Sequence, residues 1–249
     1  MADSSPPVAL VTGATSGIGV AVARRLREDG YAVAGLDVVA PPGLLPEGRG
    51  TEDGLFSDFW VGDLTDRAGT VQVLASMFVD TPPAVLVHCA GWTPFGEFLA
   101  GSPDVDDRVL AVNLAGMLNV VRPVLRSMVA AESGRIVLIS SDAARVGVYG
   151  EAVYAGAKAA QIAFAKSVAV EVAKSGVTLN VVCPGTTDTP LLHRMFAEDQ
   201  IEKRVRANPM RRIATADDVA NAVEFFTRPG SDYVTGQVIS VNGGMNRVD

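Results

Sequence analysis

Hydrophobic residues fall into two rhythms that alternate along the chain. Short runs rich in Val, Ile and Leu occupy residues 8–12, 32–37, 59–62, 85–88, 135–140, 178–182 and 237–241. Several are apolar at successive positions, the pattern of a parallel strand buried on both faces. Between them, residues 17–29, 65–79, 103–131, 152–174 and 216–227 repeat their apolar positions close to every 3.6 residues, which predicts helices. Strand and helix in alternation predict an α/β fold: one doubly wound, Rossmann-type domain over residues 1–249, with a parallel seven-stranded sheet between helices.

Two stretches break the rhythm. Residues 40–54 (APPGLLPEGRGTEDG) are dense in Pro and Gly, so the helix due between the second and third strands is predicted to be short or absent. Residues 188–209 follow a strand end and precede the last helix. They are too long for an ordinary connection and are predicted to form a substrate lid.

Composition narrows the class. A chain of 249 residues, 48% hydrophobic, can bury a full core without disulfides or metal. Its 21 basic and 28 acidic residues leave a net charge of −7, which disfavours a nucleic-acid binder. The two cysteines, Cys89 and Cys183, make no disulfide framework, and no Cys/His cluster has metal-ligand spacing. No run approaches 18 uninterrupted apolar residues and the N-terminus has no signal-like apolar segment, so a cytoplasmic protein without membrane spans is expected.

Chemistry enters at the first strand end. VALVTGATSGIG places Gly13, Gly17 and Gly19 between a strand and a helix start. Glycines there let backbone N–H groups approach a pyrophosphate, and the helix N-terminus adds its positive dipole end. The spacing is Gly-x-x-x-Gly-x-Gly rather than the common Gly-x-Gly-x-x-Gly, so the position after the first strand carries the reading. Asp37 ends the second strand. A carboxylate there accepts hydrogen bonds from the adenosine ribose and repels a 2′-phosphate, and no Arg or Lys follows, so NAD is expected rather than NADP.

Tyr154 and Lys158, four apart on a predicted helix, share a face. An ammonium beside a phenol favours the phenolate, making an acid/base of a group that ordinarily titrates near 10. Ser141 stands at the end of the fifth strand, where parallel-sheet sites open, with a hydroxyl suited to hold a substrate oxygen. Asn113 interrupts a long helix with an amide that has no role in a regular helix, which suggests a kink.

In these motifs the chain resembles the short-chain dehydrogenase/reductases of roughly 250 residues, from end to end. The matching positions are Thr12-Gly-x-x-x-Gly-x-Gly19, Asp63-Leu64, Ala90-Gly91, Asn113, Ser141, Tyr154-x-x-x-Lys158, Pro184-Gly185 and Val234-Thr-Gly-Gln with Asn242-Gly-Gly. The resemblance implies a catalytic tetrad of Asn113, Ser141, Tyr154 and Lys158. In it Tyr154 is acid/base, Ser141 orients the substrate, Lys158 holds the nicotinamide ribose and Asn113 anchors a proton-relay water. It also implies cofactor contacts at Gly13, Ser16, Gly17, Ile18, Gly19, Asp37, Asp63, Leu64, Cys89, Ala90, Gly91, Pro184, Gly185, Thr187 and Thr189, and a homotetramer built on the helices at 103–131 and 152–174 and on the C-terminal strand. Val120, Val124, Ile162, Phe164, Val168 and Val172 give those helices more apolar surface than one buried face requires.

Two positions depart from the family pattern: His88-Cys89 stands where Asn-Asn is usual, and Thr187 replaces Val or Ile. His88 reads as structural. His193 in the lid and Arg145 after Ser141 read as solvated residues or as substrate contacts, and Trp92, Tyr149, Leu191, Leu192, Met195 and Phe196 read as core or pocket lining. The expected activity is NAD-dependent interconversion of a secondary alcohol and a ketone. A 3-oxoacyl-thioester reductase is the alternative, and a catalytically silent dinucleotide sensor is the rival from another class.

Overall fold

The computed structural model describes residues 5–45, 50–78 and 82–248. Seven strands form one sheet: β1 (Val8–Thr12), β2 (Ala32–Asp37), β3 (Asp58–Val61), β4 (Val85–His88), β5 (Gly134–Ile139), β6 (Val177–Pro184) and β7 (Val238–Val241). All are parallel, in the order β3-β2-β1-β4-β5-β6-β7. Both faces are apolar because alternate side chains of each strand enter different cores. Leu10, Leu86, Leu138 and Leu179 pack under α4 (Gly116–Ala130) and α6 (Ala152–Val172). Ala9, Val11, Val87 and Val137 pack under α1 (Gly17–Glu28) and α9 (Ala216–Thr227).

The chain turns in opposite directions on leaving β1 and β4, which lie side by side. A crevice therefore opens at their carboxyl ends, the usual ligand position in a doubly wound sheet. Helix α2 (Arg67–Met77) packs beside α4 and α3 (Pro103–Leu110) against α6, in the layer those helices form. The expected helix end at Val79 and residues 46–49 of the Pro/Gly stretch lie outside the described residues. The described part of that stretch holds no helix, only a bridge between Leu44 and Thr51.

The long segment at 103–131 is not one α-helix. Between α3 and α4 the residues Ala111–Ala115 form a π-turn with Asn113 at its centre. The run 103–130 is long and apolar enough by composition to cross a membrane. Here Met117, Val120, Val121, Val124 and Met128 bury its apolar side against the sheet, and its first turns carry Asp104, Asp106 and Asp107. Val172 is buried as well. Val120, Val124 and Val172 therefore belong to the core and are not the outward apolar surface expected of them; Ile162, Phe164 and Val168 remain half-buried.

Candidate active site

At the end of β1 the chain makes its phosphate-type loop. Gly13 has φ 63°, and a Cβ there would meet the Ala90 backbone nitrogen at 2.6 Å, so only glycine lets the β1 and β4 ends run so close. Ser16 caps α1 by accepting from the Gly19 N–H at 3.0 Å. A Cβ on Gly17 would come 2.9 Å from Thr189 Cγ2, so glycine lets the α1 N-terminus lie against Thr189, which lines the same cavity. These features suit a dinucleotide pyrophosphate, held by first-turn N–H groups with no intrahelical acceptor.

A cavity of about 550 Å³ runs from this loop to the lid. Of the residues expected to bind cofactor or substrate, Ser16, Gly17, Ile18, Cys89, Gly91, Ser141, Tyr154, Lys158, Pro184, Gly185, Thr187 and Thr189 line it. Gly13, Gly19, Asp37, Asp63, Leu64, Ala90 and Asn113 do not line it. Asp37 stands at the loop edge, held by Thr15. Asp63 accepts from the Thr65 N–H and hydroxyl, each at 2.8 Å. The Leu64 side chain is buried in the core, and its carbonyl takes the Asn119 amide at 2.9 Å.

Tyr154 and Lys158 leave the first two turns of α6 toward β5. Lys158 is buried, donates to the Ile139 carbonyl at 2.8 Å, and lies 5.8 Å from the centre of the Tyr154 ring. Burial pulls its ammonium from 10.5 down to about 8. The Tyr154 phenol moves the other way. Burial raises it above its usual value and the nearby Glu151 carboxylate adds to the rise, while a hydrogen bond from Ser141 opposes both. In the protein alone, desolvation therefore outweighs the help expected from Lys158.

Asn113 is fully buried. Its amide donates to the carbonyls of Trp92 (2.6 Å) and Val109 (2.9 Å), and its oxygen accepts from the Trp92 N–H at 3.2 Å. The π-turn thus ties the loop after β4 to the helix, which is the work of the unusual amide. Gly91 fits between; a Cβ there would be 3.0 Å from Asn113 Oδ1 and 3.2 Å from Lys158 Nζ.

The segment expected to form a lid folds into two helices, α7 (Pro190–Met195) and α8 (Glu198–Ala207). Leu191, Leu192, Met195 and Phe196 line the cavity, as does Trp92 after β4, whereas Tyr149 does not. Phe196 packs edge-on to Phe95 at 5.1 Å and carries the Arg204 guanidinium over its ring at 3.7 Å. His193 points away to Asp188 at 2.7 Å. Arg145 is neither solvated nor a cavity residue: it donates to Ser240 Oγ (3.0 Å) and the Val248 carbonyl (2.9 Å).

His88 is buried with Nδ1 2.8 Å from the Thr12 hydroxyl, and its Nε2 finds no partner among the described residues. Burial, with Lys158 nearby, lowers its pKa from 6.5 to about 3, so it is neutral. Burial raises Cys89 to about 12 and Cys183 to about 11; both remain thiols.

Sequence reasoning missed Glu151. With Tyr154 it forms the wall shared by the main cavity and a smaller one of about 210 Å³ under Phe95 and Phe98. Its place three residues before Tyr154, at the N-terminus of the same helix, was the available signal.

The family model described as enoyl-(acyl carrier protein) reductase matches residues 13–246. The chain is 35% identical over 242 residues to an acetoacetyl-CoA reductase of Shinella zoogloeoides, covering 95% of this chain and 97% of that protein. It is 34% identical over 245 residues to a 3-oxoacyl-[acyl-carrier-protein] reductase of Buchnera aphidicola, covering 95% and 96%. Its fold is similar to a variant of actinorhodin polyketide ketoreductase with NADPH, at a TM-score of 0.86 and 29% identity over 98% of this chain and 99% of that one.

Proposed function

The chain belongs to the short-chain dehydrogenase/reductase family, and we propose that it reduces the 3-oxo group of an acyl thioester, and oxidises the matching 3-hydroxyacyl thioester, with NAD(H). As a family member it is an oxidoreductase of CH–OH and keto groups that binds a nicotinamide dinucleotide. The relatives named for 3-oxoacyl and acetoacetyl thioesters favour this substrate over the unspecified secondary alcohol expected from the motifs.

The observation that carries the reading is one cavity holding Ser141, Tyr154 and Lys158 against the α1 loop. When bound, the nicotinamide ring supplies or accepts the hydride. Ser141 holds the substrate oxygen by hydrogen bonding. Tyr154 gives its phenolic proton to that oxygen in reduction and takes the hydroxyl proton in oxidation. Lys158 opposes the charge left on the phenol and would reach the nicotinamide ribose. Gly17, Ile18 and Thr189 would line the dinucleotide. Asn113 keeps the loop carrying Gly91 and Trp92 in register.

Steady-state rates on acetoacetyl-CoA, longer 3-oxoacyl thioesters and simple ketones, each with NADH and NADPH, test the proposal. The expected result is kcat/KM at least about tenfold higher on thioesters than on simple ketones, with NADH the better cofactor. Activity confined to simple ketones and alcohols would return the reading to a general alcohol dehydrogenase.

A further inference from the structure

Gln161 has no part in the family motif, yet it is fully buried beside the acid/base pair. Three residues beyond Lys158 on α6, it shares that residue's helix face. The other buried residues nearby on this helix are apolar, Ala157, Ala165 and Ala169. A primary amide among them is costly unless both of its ends are satisfied. Both are. Its Nε2 donates to the backbone carbonyl of Asn113 at 2.6 Å, and its Oε1 faces Lys158 Nζ at 3.5 Å. The carbonyl it meets lies at the centre of the π-turn, where backbone hydrogen bonding leaves the α register.

We infer that Gln161 is a positioning residue for the reaction: its amide bridges the Asn113 carbonyl and the Lys158 ammonium, so that an amide, rather than a water molecule, occupies the space between them. The inference rests on the reading of Tyr154 and Lys158 given above. Two consequences follow. The ammonium is held by the Ile139 carbonyl on one side and Gln161 on the other, which fixes its reach toward Tyr154 and the nicotinamide ribose. Nε2 takes one of the two hydrogen bonds that the Asn113 carbonyl can accept, so a relay water anchored on Asn113, as the family resemblance implies, has at most the other at that oxygen. A side-chain amide does not pass protons as water does.

Three variants test this. Gln161→Met keeps roughly the same volume and removes both polar ends. Gln161→Ala removes more atoms but leaves a space bounded by a carbonyl and an ammonium, the kind of polar gap that takes up a water. The expected turnover order is wild type, then Ala, then Met, with Met down about tenfold, because a displaced ammonium misplaces the acid/base chemistry. NADH affinity, read by fluorescence, should weaken about threefold in Met. Melting temperature should run the opposite way, with Ala below Met, since the larger cavity costs more.

A packing role alone predicts the same order in turnover and melting, with Met nearest wild type, and that result would overturn the inference. So would unchanged turnover and NADH affinity in both variants. Should Met not fold, Gln161→Glu keeps the shape and sets a carboxylate beside Lys158. The pH at which NADH affinity is lost should then rise, and an unmoved profile overturns the bridge. A wild-type enzyme that binds NADH but reduces no carbonyl would sink the functional reading. NADH affinity of the variants would still decide the role of Gln161.

Discussion

Thr15 clasps the carboxylate of Asp37: its hydroxyl at 2.7 Å and its backbone N–H at 2.9 Å both reach Oδ2. Among the described residues, the other oxygen has only a 3.3 Å contact from the Val39 N–H. A carboxylate fixed at the β2 end, beside the α1 loop, is placed to accept from ribose hydroxyls and to repel a 2′-phosphate. We predict kcat/KM for NAD(H) at least ~10-fold above NADP(H), about 1.4 kcal/mol. Asp37→Ala should erode the preference. Equal efficiency with the two cofactors would remove the role given to Asp37, and relatives of this fold do carry NADPH.

His88 makes a prediction about acid stability. Its pKa falls from 6.5 to about 3 on folding. Between those values the unfolded chain binds the proton and the folded one does not, so stability rises with pH across this window and is lost on acidification. From pH 6.5 to 4.5 the loss from this residue is on the order of 2–3 kcal/mol. His88→Asn has no titrating ring. Urea unfolding at the two pH values should show the variant losing less stability than wild type by about that amount. Parallel losses in both proteins would mean the ring is hydrated or charged in the fold.

With Val120, Val124 and Val172 in the core and Ile162, Phe164 and Val168 half-buried against it, the exposed large apolar residue of α6 is Val170, at 80%. We propose that α4 and α6 pair with their counterparts in a homotetramer, as the family resemblance implies. Sedimentation at micromolar concentration should give four chains. Val170→Glu should shift the equilibrium toward smaller species, by setting a charge on a face that must be desolvated. A wild-type monomer at that concentration would count against the proposal.

What the sequence made legible, and what it hid, follows from the range of each interaction. Parallel strands buried on both faces are apolar runs, so β1 to β7 could be located to within a few residues. Gly13 and Gly17 could be read from their spacing after the first strand, although the contacts that demand them, with Ala90 and Thr189, are tertiary. Asn113 announced a disturbed helix, but AVNLA keeps a helical period, so a π-turn could not be told from an ordinary kink. Arg145 looked solvated because its partners, Ser240 and Val248, lie about a hundred residues downstream. Gln161 and Glu151 stayed hidden for a similar reason. Periodicity tells which face of α6 Gln161 occupies, but tertiary packing decides that it meets Asn113 and that Glu151, at the helix start, meets the cavity.

The mechanism itself gives the last prediction. Burial and Glu151 raise the Tyr154 phenol, so the proton stays on it at neutral pH in the protein alone. Reduction needs that proton, so its rate should be flat near neutrality and fall on the alkaline side. Oxidation needs the phenolate and should rise with pH over the same range. Glu151→Gln removes a negative charge one turn away, which should move both alkaline limbs to lower pH by about half a unit or more. Tyr154→Phe keeps the ring and the α1 loop, so NADH affinity should hold while turnover falls at least ~10²-fold. Lys158→Ala should lose turnover and cofactor affinity together. Ser141→Ala should chiefly lower kcat/KM, through one lost hydrogen bond to the reacting oxygen. A Tyr154→Phe enzyme with near-wild-type turnover on the same substrate would sink the acid/base assignment, and variants of Glu151, Lys158 and Asp142, the titratable groups that line the cavity around Ser141, would then be the next to measure.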